Sequence, residues 1–200
     1  MMGKIIIYLL FFFPFYSYAQ NAESLLNKVQ EKFNSLTSLQ ADYNSRINSG
    51  NSNFILNGTI IYLKGNKFRL VLKDKTIISD GKTVWNFDEK ENRVIVSDFE
   101  DDQSNPSLEK YIFDYPSKCS VEICNKTSNC FKLTPNDLTL PFKNIKVYIS
   151  YDYLITGFEL IDYSNTELIV SFSNIKIDVT VNDNEFTFQP ASGVKVIDLR

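Results

Sequence analysis

The sequence contains no histidine, and this absence excludes several classes of function. Its 200 residues include 16 phenylalanines, 11 tyrosines and one tryptophan. A Ser-His-Asp or Cys-His nucleophile, a histidine general base and a histidine-ligated zinc ion all need an imidazole, so none of them is available. Positive charge is also limited, with 21 Lys and Arg against 24 Asp and Glu. This balance does not predict nucleic-acid binding, which depends on clustered basic residues.

Cysteine is scarce, and its three copies lie in one short stretch, at Cys119, Cys124 and Cys130. Cys124 and Cys130 flank a polar stretch typical of a hairpin loop, so they can face each other across it. In an oxidising compartment we expect a local disulfide there rather than a functional thiol, with Cys119 left over. A metal site needs more ligands than this cluster offers, and we predict neither a metal nor a cofactor.

Only one long hydrophobic run is present, and it stands at the N-terminus. Lys4 precedes an apolar run over residues 5–15, and small residues end at Ala19. This pattern predicts a secretory signal peptide over residues 1–19, cleaved after Ala19. The alternative is a transmembrane anchor, but the run is short and Pro14 interrupts it. The residue directly after the cleavage site is not a cysteine, so a lipid-anchored N-terminus is not expected. Residues 20–200 are predicted to be one exported domain.

The mature chain begins with a helix and continues as strands. Apolar residues spaced three and four apart predict a helix over residues 21–39, with a stripe made of Leu26, Val29, Phe33 and Leu36. From Tyr43 onward the apolar period is two, and turns such as Asp80-Gly81 separate the runs. About ten strands follow, and the last two are expected at residues 185–188 and 193–197.

A second, shorter helix is predicted between the strands. Asn105 and Pro106 fit its cap and first position, and Pro116 ends it. Its apolar stripe consists of Leu108, Tyr111, Ile112 and Tyr115. Because so short a helix is unstable alone, it needs a surface to cover. We therefore expect a large curled antiparallel sheet with helical cover.

Motifs for catalysis are missing, so the chain is not predicted to be an enzyme. Acidic residues at 98–102 lie in a polar loop and are typical of a solvated charge run. Residues 79–83 lack the spacing of a phosphate-binding loop and precede a strand. What remains is the apolar face of the sheet. It forms either an ordinary core, which composition favours, or a ligand cavity.

Three stretches of the sequence resemble the outer-membrane lipoprotein carrier family, LolA. Residues 79–85 are similar to its S-D-G-K-x-x-W hairpin, and residues 186–194 to its terminal F-x-F-x-P-x-x-G-V. The strand–turn–strand over residues 62–68 comes after a signal peptide and a first helix, which is the order of elements along the chain in the family. The resemblance spans residues 20–200, although residues 98–142 match poorly.

The resemblance implies a mainly β fold (α+β), an unclosed, strongly curved antiparallel half-barrel of about 10–11 strands. An N-terminal helix and short lid helices would cover an apolar cavity. It also implies a periplasmic carrier, expected to be a monomer, that binds acyl chains of triacylated lipoproteins. An inner-membrane ABC transporter would release this cargo, and the outer membrane or an acceptor there would receive it.

Site residues follow from the resemblance as well. Those expected to contact acyl chains in the cavity are Phe33, Leu36, Leu56, Ile60, Tyr62, Phe68, Leu70, Leu72 and Trp85. Those expected in the lid are Leu108, Tyr111 and Ile112. Family members often latch the lid with a basic residue at the position of Gly65, and Lys64, Lys67 or Arg69 are the candidates to replace it.

Three other functions are considered. A regulatory module that senses lipid or lipoprotein on the same fold is the main alternative. An outer-membrane lipoprotein acceptor would need a cysteine where Gln20 stands. A hydrolase is disfavoured by the missing histidine.

Overall fold

Twelve strands form one curled sheet that does not close. The computed structural model describes residues 19–100, 107–124 and 129–200. The strands are β1 Ser38–Ser49, β2 Ser52–Leu63, β3 Lys67–Leu72, β4 Lys75–Asp80, β5 Thr83–Asp88, β6 Arg93–Asp98, β7 Cys119–Ile123, β8 Cys130–Pro135, β9 Phe142–Ile149, β10 Ile155–Asp162, β11 Glu167–Ile177 and β12 Lys195–Asp198. The helices are α1 Ala19–Ser35, a π-helical turn Lys110–Asp114, which we call the lid helix, and 3₁₀ turns at Pro116–Lys118 and Asp183–Phe186.

The strand order is β12-β6-β5-β4-β3-β2-β1-β11-β10-β9-β8-β7. Neighbours are antiparallel, except that β12 runs parallel to β6. Within the described residues β7 and β12 do not pair, so the sheet stays open. The prediction of a mainly β, unclosed half-barrel is confirmed, with twelve strands rather than 10–11.

Two element boundaries differ from the sequence prediction. The first helix ends at Ser35, because Leu39 belongs to β1 and pairs with Tyr62 on one side and Ile177 on the other. The run at 185–188, predicted as a strand, begins inside a 3₁₀ turn. Asn182 caps that turn, since its Oδ1 accepts a hydrogen bond from the Asn184 N–H at 3.1 Å. Alternation of Phe186 and Phe188 alone could not reveal this cap.

Every second residue of each strand faces the concave side of the sheet, where the main core lies. α1 covers this side with Leu26, Val29 and Phe33 of the predicted stripe, and Leu36 follows directly after the helix; all four are buried. The lid helix lies beside α1, and the Gln30 side chain donates a hydrogen bond to the Ile112 carbonyl at 2.9 Å. The two helices therefore cover the concave face together.

A second apolar layer lies on the convex side of the sheet. The C-terminal segment runs over β3 and β4, where Arg69 Nη1 donates to the Glu185 carbonyl at 3.4 Å. Phe186 is fully buried in it, and the rings of Phe188 and Phe87 lie 5.1 Å apart. Both faces of β4–β6 are therefore covered.

Gly58 marks the point at which β2 leaves β3. β3 pairs with β2 only from Gly58 to Leu63, whereas β1 pairs with β2 over its whole length. A Cβ at Gly58 would lie 2.0 Å from the Val71 carbonyl oxygen, so the two backbones approach more closely than any side chain allows.

We expect Gly58→Ala to lower the free energy of unfolding by about 2 kcal/mol, because β3 must move away from β2 to admit the methyl group. Thr59→Ala, at an exposed neighbouring position, is the control and should cost below about 1 kcal/mol. Urea denaturation of the three proteins measures both values. Equal stability of Gly58→Ala and wild type would contradict the close approach.

Cys124 and Cys130 form a disulfide, with Cα atoms 5.5 Å apart, as predicted. Cys119 is a buried free thiol, and burial raises its pKa to about 11. It is therefore protonated and unreactive at neutral pH.

Some predictions fall on residues 1–18, 101–106 and 125–128, outside the described residues. They include the signal peptide, residues 101 and 102 of the acidic loop, and the helix cap at Asn105 and Pro106. Across the described ranges, the structure has no helix with the length and apolar character needed to cross a membrane.

Candidate functional site

An apolar cavity lies between the two helices and the concave face of the sheet. Its enclosed volume is only about 10 Å³, far below the roughly 300–1,000 Å³ of ligand sites, so the lining side chains nearly fill it and the site is closed in this structure. Its lining residues are Val29, Phe33, Leu36, Leu39, Leu108, Ile112, Tyr153, Leu154, Ile155 and Phe172. None of these side chains is charged, so the cavity suits a nonpolar ligand.

Four of the predicted site residues line this cavity: Phe33 from α1, Leu36 directly after it, and Leu108 and Ile112 from the lid side. Five others lie on the same concave face, buried in the core, and do not line the cavity: Ile60, Tyr62, Phe68, Leu70 and Leu72. Phe68 has no exposed surface at all, so it is a core residue and not the cavity-edge residue that the resemblance implied. The sequence predicted that Phe68 faces the concave side of the sheet, but it did not predict that Phe68 is fully buried.

Trp85 lies on the wrong side of the sheet for the predicted cavity. It pairs directly with Ile78 and Val96, and directly opposite residues share one face. Phe68 pairs with Ser79, the neighbour of Ile78, and therefore faces the other way. Trp85 belongs to the convex layer, which the prediction did not include.

Leu56 lies on the concave face but far from the cavity. Along β2 it lies two same-face positions from Ile60, toward the tip of the β1–β2 hairpin. The residue is 39% exposed. The structure therefore does not bring Leu56 together with the cavity-lining residues.

Sequence reasoning missed the contribution of the β9–β10 turn. Tyr153, Leu154 and Ile155 close one side of the cavity, and Tyr153 takes a φ of +64°. The Lys28 ammonium of α1 donates to the Tyr153 hydroxyl at 3.3 Å. A Tyr-Asp-Tyr turn carries no signal for this role, since its position over the cavity depends on the pairing of distant strands.

Tyr111 of the lid helix packs beside the cavity and does not line it. Its ring stacks on Phe158 with centroids 4.2 Å apart, and Tyr115 meets it edge-on at 5.5 Å. Burial raises the pKa of the Tyr111 hydroxyl, so it remains neutral. This aromatic stack fixes the lid helix to β10.

Polar contacts fix the other side of the lid to the β2–β3 turn. The Glu109 carboxylate accepts hydrogen bonds from the N–H groups of Gly65 at 3.1 Å and Asn66 at 3.3 Å, and from the Tyr62 hydroxyl. Ser107 Oγ donates to Asn66 Oδ1 at 2.5 Å. Burial and the neighbouring carboxylate together raise the pKa of Tyr62. We call these contacts the Glu109 latch.

Within the described part of the chain, the basic residues considered as a latch bond to α1 or to the C-terminal segment and not to the lid. Lys64 donates to the Asn34 carbonyl at the end of α1. Lys67 pairs with Asp183 at 3.3 Å, and Arg69 reaches the Glu185 carbonyl, both in the C-terminal segment. In the described residues the contact between lid and turn is made instead by the Glu109 carboxylate, which meets backbone amides of the turn.

The predicted Asp80-Gly81 hairpin supports this turn from behind. Gly81 has a φ of +90°, and a Cβ there would lie 2.2 Å from the Gly65 carbonyl oxygen. Asp80 Oδ1 accepts hydrogen bonds from the Lys82 and Thr83 N–H groups at 2.8 and 2.7 Å. The hairpin thereby holds Gly65 where Glu109 can reach it.

Comparison with known proteins identifies the family. The sequence model of the protein family "Outer membrane lipoprotein carrier protein LolA" matches residues 34–189 of this chain. The outer-membrane lipoprotein carrier protein of Histophilus somni (strain 2336) is 26% identical over 183 residues, 88% of each chain.

Two further matches have no assigned function. An uncharacterized protein of Methanocaldococcus jannaschii is 25% identical over 193 residues, which are 93% of this chain but only 56% of that protein's length. The crystal structure of an uncharacterized conserved protein from Thermus thermophilus superposes with a TM-score of 0.59 at 14% identity, covering 90% of this chain and 99% of that one. That likeness shows the shared fold. The family model matches most of the length of the present chain, which therefore belongs to the outer membrane lipoprotein carrier protein LolA family.

Proposed function

We propose that this protein is a periplasmic carrier that binds the acyl chains of lipoproteins released from the inner membrane and delivers them to the outer membrane. The observation that carries the proposal is the uncharged cavity under a latched lid, in a chain of the lipoprotein carrier family. Signal-peptide cleavage after Ala19 would place the mature chain in the periplasm.

The energetics of acyl binding favour such a role. Each buried CH₂ contributes about 0.8 kcal/mol, so a sixteen-carbon chain gains on the order of 12 kcal/mol when fully buried. A carrier must also release its cargo. Displacing the lid breaks the Glu109 latch and the Gln30–Ile112 bond, and that cost offsets part of the gain. With about 10 Å³ of enclosed space the cavity is closed in this structure, and the carrier role requires it to widen when cargo enters.

Native mass spectrometry of the protein purified from the periplasm tests the proposal. A triacylated lipoprotein should co-purify with it, together with free protein. Recovery with an anti-sigma factor and no lipoprotein would favour the regulatory alternative instead.

We expect Leu154→Glu to weaken binding of a fluorescent fatty acyl probe at least about tenfold, because a carboxylate would stand at the wall of the nonpolar cavity. Leu154 is half-buried in a turn, so the fold tolerates the change better than at a core position. The matched control is Leu138→Glu, at a site 83% exposed and outside the cavity lining, which should bind as wild type does. Equal loss in both variants would argue against this cavity as the site.

A further inference from the structure

The far end of the β1–β2 hairpin has a free main-chain edge. β2 pairs with β1 from Ser52 onward but with β3 only from Gly58. Among the described residues no strand pairs with the other edge of residues 52–57. This overhang contains neither charge nor proline, the features with which natural proteins usually protect an edge.

The register fixes which main-chain groups are free. Ser49 pairs with Ser52 across the two-residue turn at Gly50 and Asn51. The closing pair of such a hairpin exchanges both hydrogen bonds, and the pairs beyond it alternate. Main-chain groups of residues 52, 54 and 56 therefore point toward β1, and those of Asn53, Ile55 and Asn57 point outward.

The overhang also carries apolar side chains, and they continue the concave face of the sheet beyond the covered core. Phe54, Ile55 and Leu56 are 58%, 54% and 39% exposed. Phe54 and Leu56 share the face of Ile60, and opposite Phe54 lies Ile47, which pairs in turn with Leu168. An apolar strip therefore runs from the lidded core to the tip of the hairpin.

We propose that this edge binds the extended peptide segment that follows the lipidated residue of the cargo, which adds a strand beside residues 52–57. The inference rests on the proposed function: a carried lipoprotein necessarily has polypeptide emerging from its lipid attachment point. Unpaired amides and carbonyls in a row are satisfied by another extended chain. The strip leads from that row to Ile60 and Tyr62, which lies under the Glu109 latch. Specificity for side chains would be low, since the main chain supplies the contacts.

Two probes separate this edge from the cavity. One is a synthetic triacylated cysteine followed by ten Ser and Thr residues, and the other is the same triacylated cysteine as its amide. We expect the periplasmic protein to bind the lipopeptide about tenfold more tightly than the amide. Ile55→Pro removes an outward N–H and leaves the pairing with β1 intact, so it should erase this difference without changing affinity for the amide. Ile55→Ala keeps the N–H and should keep the difference.

Hydrogen exchange provides a second measurement that needs no variant. The lipopeptide should protect the amides of Asn53, Ile55 and Asn57, and the acylated amide should not. A tenfold difference that persists in Ile55→Pro overturns the inference. So does light scattering that shows a dimer which Ile55→Pro dissociates, because a second copy would then occupy the edge. If wild type binds neither probe, the proposed function itself fails.

Discussion

We expect Phe68→Ala to lower the free energy of unfolding by about 4 kcal/mol, because a fully buried phenylalanine leaves a cavity that the surrounding sheet cannot close. Phe68 lies between Tyr62 of β2 and Ser79 of β4 and belongs to the buried apolar core of the concave face. Phe68→Glu should go further and prevent folding, since the carboxylate would be buried with no basic partner in its register. Chemical denaturation of purified protein measures the first effect, and circular dichroism the second.

The control for this prediction is Phe54→Ala on the neighbouring strand. It removes the same side chain from the same concave face, but at a site 58% exposed. Its cost should stay below about 1 kcal/mol. A folded, stable Phe68→Glu that merely fails to bind acyl probes would show instead that Phe68 lies at the cavity edge, as the family resemblance implied.

The second large effect is expected at the latch. Glu109→Ala removes the acceptor of three hydrogen bonds and leaves the buried Tyr62 hydroxyl and two backbone amides without it. We expect the closed lid to lose about 2–3 kcal/mol relative to the open one. Hydrogen exchange of residues 107–118 should then accelerate by roughly 30-fold or more. Loading of a fluorescent acyl probe should become faster by a comparable factor.

Two variants distinguish loss of the latch from a general loss of stability. Glu109→Gln keeps an acceptor oxygen at the same length and loses only the charge, so its effect should be clearly smaller. Glu159→Gln removes a carboxylate of the convex side, paired with Lys146 at 2.7 Å, and should leave exchange of the lid unchanged. Unaltered exchange in Glu109→Ala would show that the aromatic stack on Phe158 holds the lid without the latch.

The architecture was predictable because its signals are local. Alternating residues in β3 and the Asp80-Gly81 turn identify strands and hairpins without reference to distant parts of the chain. The stripe of α1 likewise indicates which helix face is buried. The strand order beyond residue 98 could not be predicted in this way, because β7 lies at one end of the sheet and β11 at its centre. Nothing in a single strand's pattern encodes those partners.

The site was predicted only in part, for a related physical reason. Ile77, Ile78, Val84 and Trp85 are all apolar, so alternation cannot tell which face is concave when both faces are covered. The convex layer over Trp85 comes from residues more than ninety positions later. Glu109 carried no signal either, because a lone glutamate in a polar stretch is typical of a solvated surface. Its importance depends on the Gly65 turn, 44 residues away in sequence.

The pairing of β1 with β11 has a consequence for how the chain reaches this fold. β2–β6 and β7–β10 are runs of neighbouring strands that can form soon after they emerge, but β1 pairs with β11 at the centre of the sheet, and Thr37 bonds Asp178, 141 residues further on. Loops of that length close slowly. A chain that emerges N-terminus first therefore displays two half-sheets with exposed apolar faces until β11 has emerged. The interval before that pairing is the time when this protein itself is most exposed to aggregation and proteolysis.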